Sequence, residues 1–327
     1  MKSAIPIILV VFLTLGAVVG ASLAQGNPIE EYRPIVDSLR ADGDIDGAIN
    51  AAHEMLGVLE SRKDTKEYQL EDAKRLIKTI EFIATLTGEG REEMATAARL
   101  GREYRALYDE DNIAGAASLA RRQLDILITH LGRMHPETAE SMVNLAFLLS
   151  DLEEYDSVQI LYEEALEIDR ATLGDAHPGV GTDLNNLGVF MQDKGNFSAA
   201  DSMFRQALQI FVGTFGEIHP DVAMVYNNLA NLIMEQGELA SAEPLYRKSI
   251  LIYRELYGNF DEDVAMGLHN LAELLTRKGD YAEAEALFKE TLEIYRELEA
   301  DFDVALTLNS AASLLHDQGD YAGAEPL

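Results

Sequence analysis

The sequence predicts an all-α fold, a right-handed α-α superhelix (solenoid) of stacked antiparallel helix pairs, because one pattern recurs along most of it every 42 residues. The dipeptide His-Pro begins at His135, His177 and His219. An Asn-Leu triplet occurs in four copies, and in three of them a glycine that is able to end a helix follows it. These Asn-Leu-Ala or Asn-Leu-Gly triplets stand in one phase and begin at Asn144, Asn186, Asn228 and Asn270.

The unit that begins at His219 shows why the pattern makes pairs of helices. Across Asp221 to Gln236 the apolar residues keep to one helical stripe, and Pro220 stands in the first turn, where a missing N–H is tolerated. A second helix is predicted from near Leu239 to around Gly258. Since such a pair cannot cover its own apolar face, each pair must stack on the next one.

The order of these residues resembles the 42-residue tetratricopeptide repeat of kinesin light chains and their bacterial relatives. The resemblance extends over about Glu93 to Leu327 and follows the order Asn-Leu-Ala, Gly-x-Tyr, Ala-Glu-x-Leu-Tyr, Ala-Leu-x-Ile and Leu-Gly-x-x-His-Pro. It implies the solenoid fold and a role in holding other proteins, but it does not specify a partner.

The sequence divides into three predicted parts. Residues 1–24 are a predicted signal peptide, residues 25–92 an atypical N-terminal helical cap with a degenerate repeat, and residues 93–327 the repeat array. The last unit stops shortly after its inter-helix turn, so we expect the sequence to be a fragment of a longer protein. The predicted units of the array are about 93–134, 135–176, 177–218, 219–260, 261–300 and the incomplete 301–327.

The N-terminal segment has the pattern of a secretory signal. Lys2 is followed by an uncharged apolar run to about residue 20 and then by small residues before Gln25. Cleavage is expected after Ala24, with cleavage after Ala21 as the alternative. An uncleaved membrane anchor competes with both, because the uncharged stretch is long enough to span a bilayer. In each case the rest of the chain is expected outside the cytoplasm, in the periplasm or secreted.

The charge balance limits the classes of molecule that this protein is expected to bind. The chain has 26 Lys and Arg against 57 Asp and Glu, a net charge of −31. Such a surface repels phosphate backbones and anionic membranes, so we expect no nucleic-acid partner and no membrane contact beyond the signal segment. Basic protein partners fit the charge, although solubility alone also explains it. The absence of cysteine excludes disulfides, zinc thiolates and thiol nucleophiles.

The resemblance implies that the first helix of each pair lines a concave groove in which a partner binds. There the triplet residues Asn144, Asn186, Asn228 and Asn270 form a ladder whose amides bind the backbone of an extended peptide. Each amide has a second reading, a bond to a neighbouring helix that fixes the repeat spacing, and both readings stay open. Acidic groove neighbours such as Glu235 favour a basic peptide. Further asparagines beside the ladder are Asn185, Asn227 and Asn231.

No catalytic residue, metal site or cofactor is predicted. The sequence contains no Gly-x-Ser-x-Gly, phosphate loop or His-Glu-x-x-His. The His-Pro histidines are expected on the order of 10 Å apart, too far to share a zinc ion, and are assigned to capping or packing between repeats. The leading function is an exported protein–protein interaction scaffold. Alternatives are a structural spacer, or the regulatory arm of a larger enzyme whose caspase-like protease or kinase domain lies beyond Leu327.

Overall fold

The computed structural model describes residues 28–324, and every regular element within that range is a helix, so the predicted all-α fold is confirmed. The elements are α1 (Pro28–Ala41), α2 (Ile45–Ser61), α3 (Glu67–Thr85), α4 (Gly88–Asp109), α5 (Ile113–Leu131), α6 (Pro136–Asp151), α7 (Val158–Leu173), α8 (Pro178–Asp193), α9 (Phe197–Phe215), α10 (Pro220–Glu235), α11 (Leu239–Tyr257), α12 (Glu262–Lys278), α13 (Tyr281–Glu297), α14 (Asp301–Asp317) and α15 (Tyr321–Ala324).

The helices pack in consecutive pairs within two compact units, of which the first ends at His177 and the second begins at Pro178. In the first unit the pairs are α1 with α2, α4 with α5 and α6 with α7, and α3 packs against α2 and α4. In the second unit they are α8 with α9, α10 with α11 and α12 with α13, followed by α14 against α13. Helix pairs also contact the next pair inside each unit, as a stacked array requires.

The predicted signal peptide lies outside the described residues. Among residues 28–324, no helix combines the length and the apolar character that crossing a bilayer requires.

Large aromatic side chains are buried in the core of the second unit, and Phe204 among them packs against a glycine. Phe204 and Tyr246 are fully buried, and Phe288 is 2 % exposed. A Cβ placed on Gly188 would lie 2.8 Å from the ring of Phe204, which shows how closely the two helices of this pair approach. Removing a buried aromatic side chain of this size typically costs about 3–5 kcal/mol of stability. Stacking therefore depends on this match between large and small residues.

The turn inside each pair uses a left-handed residue. Gly237 has φ +85°, which glycine adopts without the steric penalty of a side chain. Glu153 stands at the matching position two repeats earlier and has φ +58°. The geometry of the turn is thus kept where the glycine is missing, because the stacked helices on both sides fix the path of the chain.

The residue before α6, α10 and α12 caps that helix with its side chain. The Nδ1 atoms of His135 and His219 accept hydrogen bonds from the backbone N–H two residues further on, at 3.1 and 3.3 Å. Asp261 replaces the histidine before α12 and its Oδ1 accepts the equivalent bond at 3.0 Å. The capping role expected for the histidines is confirmed at these two positions, and aspartate performs the same task with an oxygen.

His177 is held instead by α3, a helix that does not fit the repeat period. Its Nε2 lies 3.2 Å from Oδ2 of Asp72, and its ring meets that of Tyr68 edge-on at 5.5 Å. Seven residues further along α3, the hydroxyl of Thr79 lies 3.1 Å from Nε2 of His135. Seven helical residues rise about 10 Å, so α3 reaches two successive turns that precede first helices.

Carboxyl groups near the caps of the second unit carry raised pKa values. Burial raises the pKa of Asp221 to about 6. Burial, together with the negative charges of Asp261 and Glu262, raises the pKa of Asp263 to about 7. A carboxyl group whose pKa is raised by folding favours the folded state at low pH and loses that contribution as the pH rises through the folded-state value.

We predict that Asp263→Asn stabilises the protein at pH 8 by about 1–2 kcal/mol more than it does at pH 5. At pH 5 the folded wild type keeps this carboxyl protonated, whereas at pH 8 it must hold a partly buried charge that asparagine lacks. Urea unfolding at the two pH values measures the difference between variant and wild type. Glu285→Gln, at an exposed position on α13, serves as the control and should show no such pH dependence. An equal effect at both pH values would contradict the prediction.

Candidate functional site

Side-chain amides join the first helices of successive pairs in the second unit. Nδ2 of Asn228 on α10 donates a hydrogen bond to Oδ1 of Asn185 on α8, at 2.9 Å. Nδ2 of Asn270 on α12 donates in the same way to Oδ1 of Asn227, at 3.0 Å. Both bonds link residues 43 apart, so one contact is repeated in the same register from α8 to α10 and from α10 to α12.

The two partners in each bond differ in exposure. Asn185 is 1 % exposed and Asn227 is 5 % exposed, whereas Asn228 and Asn270 are only partly buried. An amide has one acceptor oxygen and two donor hydrogens. After giving one hydrogen to its neighbour, each of the partly exposed amides keeps an oxygen and a second N–H with which to meet a ligand. Spacing the helices and offering polar groups are therefore compatible roles at these positions.

The remaining predicted asparagines have separate environments. Asn186 is 3 % exposed within α8. Oδ1 of Asn231 accepts a hydrogen bond from the hydroxyl of Tyr246, which fastens α10 to α11 inside one pair. Asn144 belongs to α6 of the first unit and is partly buried there. The structure thus brings together Asn185, Asn227, Asn228 and Asn270 in the second unit, and it gives Asn231 a contact within its own pair.

Acidic side chains accompany the amides on these first helices. Nε2 of Gln192 donates to Oε1 of Glu235 at 2.9 Å, again across 43 residues. Burial and the charge of Glu235 raise the pKa of Asp193 to about 6. Oε1 of Glu273 accepts a hydrogen bond from the hydroxyl of Ser310 at 3.2 Å. The C-terminal ends of α8 and α10 are consequently negative, and a cation near them would be stabilised, whereas α12 ends in Arg277 and Lys278.

Asn144 also lines a cavity of about 80 Å³ in the first unit, between α1, α4, α5 and α6. The guanidinium of Arg40 makes two hydrogen bonds to the carboxylate of Glu137, at 3.0 and 2.8 Å. Burial would raise the pKa of Glu137, but the charge and hydrogen bonds of Arg40 lower it to about 2. Arg33 lies 3.8 Å from Glu140. The charged side chains that line the cavity are therefore already paired with one another.

Sequence reasoning missed this arginine cluster. The repeat pattern does not reveal it, because α1 lies upstream of the recognisable repeats and α4 is degenerate. The sequence does contain one signal of the cluster, namely arginines that recur at helical spacings of three or seven residues in α1 and in α4. The arginines that line the cavity are Arg33, Arg40, Arg102 and Arg105.

Within the part of the chain that the structure describes, no group of three or more His, Asp or Glu side chains is arranged to bind a metal ion.

We predict that the bond between Asn185 and Asn228 couples α8 to α10 energetically. In a double-mutant cycle with Asn185→Ala and Asn228→Ala, the interaction energy should be about 0.5–1.5 kcal/mol, since the hydrogen bond is removed by either change alone. Urea unfolding of the wild type, both single variants and the double variant gives this value. The unconnected pair Asn185→Ala and Gln209→Ala is the control and should be additive. Additivity in the first cycle would rule out the coupling.

The comparisons with known proteins agree on the repeat. Residues 137–211 and 221–297 match the model of the tetratricopeptide repeat. No curated protein matches the sequence. BtubC (BKLC) from P. vanneervenii has a similar structure, with 23 % sequence identity and a TM-score of 0.54 over 66 % of this chain and 87 % of that one. A putative kinesin light chain of P. anserina with nearly identical TPR-like repeats has 20 % identity and a TM-score of 0.53, over 62 % and 95 % of the two chains.

A further solved structure covers more of the chain. A Rap protein complexed with Competence and Sporulation Factor has a TM-score of 0.60 with 14 % identity, over 92 % of this chain and 90 % of that one. Identities this low are evidence for the fold alone. The match to the repeat model, with the helix pairs and the 42-residue pattern, shows that this chain carries tetratricopeptide repeats at residues 137–211 and 221–297.

Proposed function

We propose that this protein is an interaction scaffold that binds an extended segment of a partner protein along α8, α10 and α12. The observation that carries the proposal is the repeated amide bond, from Asn228 to Asn185 and from Asn270 to Asn227. It holds two partly exposed amides one repeat apart, each with an oxygen and an N–H to spare. Tetratricopeptide repeats generally act as non-catalytic scaffolds for protein–protein interaction, which supports this reading.

The repeat spacing matches an extended peptide. Adjacent first helices are separated by about one helix diameter, on the order of 10 Å. An extended chain advances about 3.3 Å per residue, so every third residue of a bound segment would meet the next amide. Backbone groups are the same in every sequence, and contacts of this kind would provide affinity with little selectivity.

Selectivity would come from the charged side chains. Asp193, Glu235 and Glu273 lie on the same three first helices as the amides. Arg277, in the last turn of α12, is a local exception. A segment containing Lys or Arg therefore fits this surface better than an acidic one, and nucleic acid is disfavoured by the net charge of −31.

We further propose that the protein acts outside the cytoplasm, in the periplasm or after secretion. The support is the pattern of residues 1–24, in which Lys2 precedes an apolar run and small residues precede Gln25.

We predict that the groove binds basic peptides. A displayed library of random 12-residue peptides, selected on the full chain, should yield binders enriched in Lys and Arg with dissociation constants of about 1–100 μM. Their affinity should fall about tenfold for the Asn228→Ala/Asn270→Ala double variant, because the exposed amides are lost. Fluorescence anisotropy with labelled copies of the selected peptides measures the change.

Asn185→Ala is the matched control, since it breaks the same inter-helix bond but leaves the amide of Asn228 in place. Circular dichroism confirms that each variant is folded. The proposal is wrong if no peptide is selected, or if the folded double variant binds the selected peptides as well as the Asn185→Ala variant does.

We predict that residues 1–24 direct export of a fused enzyme. Residues 1–24 fused to alkaline phosphatase lacking its own leader should give active, periplasmic enzyme in a bacterial host, because that enzyme is active only after export. Replacing the apolar run by alternating Ser and Asn should abolish the activity. Activity that stays at the level of the leaderless enzyme for the intact segment would contradict the proposed localisation.

A further inference from the structure

The turns that precede first helices form a second surface of the second unit, distinct from the amide-lined faces. We call it the cap edge and define it as residues 218–221, 260–263 and 301–303, which precede or open α10, α12 and α14. In the first unit the corresponding turns are in contact with a helix, because α3 bonds to His135 through Thr79 and to His177 through Asp72. The chain itself therefore provides an example of a helix bound across successive turns of this kind.

Each turn of the cap edge exposes a large apolar side chain. Ile218 is 40 % exposed, Phe260 is 64 % exposed and Phe302 is 70 % exposed. Ile218 and Phe260 each stand directly before an N-cap residue, so their spacing follows the stacking of the helix pairs, on the order of 10 Å, whereas Phe302 is the second residue of α14. These three side chains offer a partner apolar surface whose burial would favour binding.

The cap edge is also an uncompensated negative surface. Burial and the charges of Asp303 and Asp261 raise the pKa of Glu262, which places the turn before α12 within electrostatic range of the start of α14. Burial raises the pKa of Asp303 as well. Among the described residues, no Lys or Arg forms an ion pair with Asp261, Glu262, Asp263 or Asp303.

The second helices of the same unit present a contrast. Arg247 pairs with Glu283 at 2.8 Å, and Arg254 pairs with Glu290 at 2.5 Å. Lys248 on α11 pairs with Glu217 at 2.9 Å. Lys248 thus reaches the residue directly before the cap edge, whereas in the turn before α12 the charges of Asp261 and Asp303 act on Glu262 without such a cation. A positively charged partner would remove the repulsion among these carboxylates.

We propose that the cap edge binds an amphipathic helix of a partner protein that carries Lys or Arg beside its apolar stripe. Its apolar side chains pack on Ile218, Phe260 and Phe302, and its cations face the carboxylates of the three turns. One turn of the edge corresponds to about seven residues of the bound helix, because seven residues rise about 10 Å. Asp72 and Thr79 of α3 meet their two histidines with this same separation. The surface is separate from the groove and is independent of the function proposed for it.

The chain offers a probe for this test. A labelled peptide with the sequence of residues 65–86, which includes α3, has the correct spacing but carries Asp72 where the cap edge of the second unit presents Asp261. The Asp72→Lys form of this peptide replaces a repulsive group with an attractive one. Fluorescence anisotropy should show that the full chain binds the Asp72→Lys peptide at least tenfold more tightly than the unchanged peptide. The difference should shrink as salt is added.

Protein variants locate the binding. Phe302→Ser and Glu262→Lys should each weaken binding of the Asp72→Lys peptide at least fivefold. Glu285→Lys makes the same charge change at an exposed position of α13 and should have little effect, as should Asn228→Ala in the groove. Circular dichroism establishes that the variants are folded. The proposal is overturned if the two peptides bind equally, if neither binds, or if the folded Phe302→Ser and Glu262→Lys proteins bind as tightly as the wild type.

Discussion

The structure depends on one packing constraint, namely that a helix pair cannot bury its own apolar face and must place it against the next pair. Phe204 shows how the constraint is met, because it is fully buried within a stacked unit and faces Gly188 of the first helix. Burial of such side chains is the main stabilising contribution available to a chain without cysteine. It also sets a fixed distance between neighbouring first helices, and the other features of the molecule follow from that distance.

Hydrogen bonds between asparagine side chains join the first helices that are held at this distance. Asn228 reaches Asn185, and Asn270 reaches Asn227, across the same number of residues. Because the packing already positions the helices, each pair of amides needs only one hydrogen bond to hold its register. The exposed member of each pair then has hydrogen-bonding capacity left for a ligand. A structural role and a binding role are thereby combined in one residue type, which explains why neither role excludes the other.

Electrostatics distinguish the surfaces that the stacking creates. The second helices pair their arginines and lysines with neighbouring carboxylates, as Arg247 does with Glu283. The first unit neutralises its arginines internally, as Arg40 does with Glu137. On the amide-lined faces and the cap edge, acidic side chains lie near one another, and burial together with their mutual repulsion raises the pKa of Asp193 and Asp263. A basic partner therefore suits both surfaces, an extended segment in one case and a helix in the other.

The sequence by itself determined the helical repeat and the stacking of pairs, because these depend on local spacing and on residues within one unit. It left capping and packing open for His135 and His219. It left two readings for each asparagine, since periodicity cannot tell whether an amide meets a neighbouring helix or a ligand. Only the tertiary structure decided which asparagines bond to each other. It also showed that α3 contacts His177 through Asp72, residues 105 apart in sequence, and that arginines of α1 and α4 share a cavity. These contacts join segments without a common period, so their proximity arises from packing and does not follow from the repeat pattern.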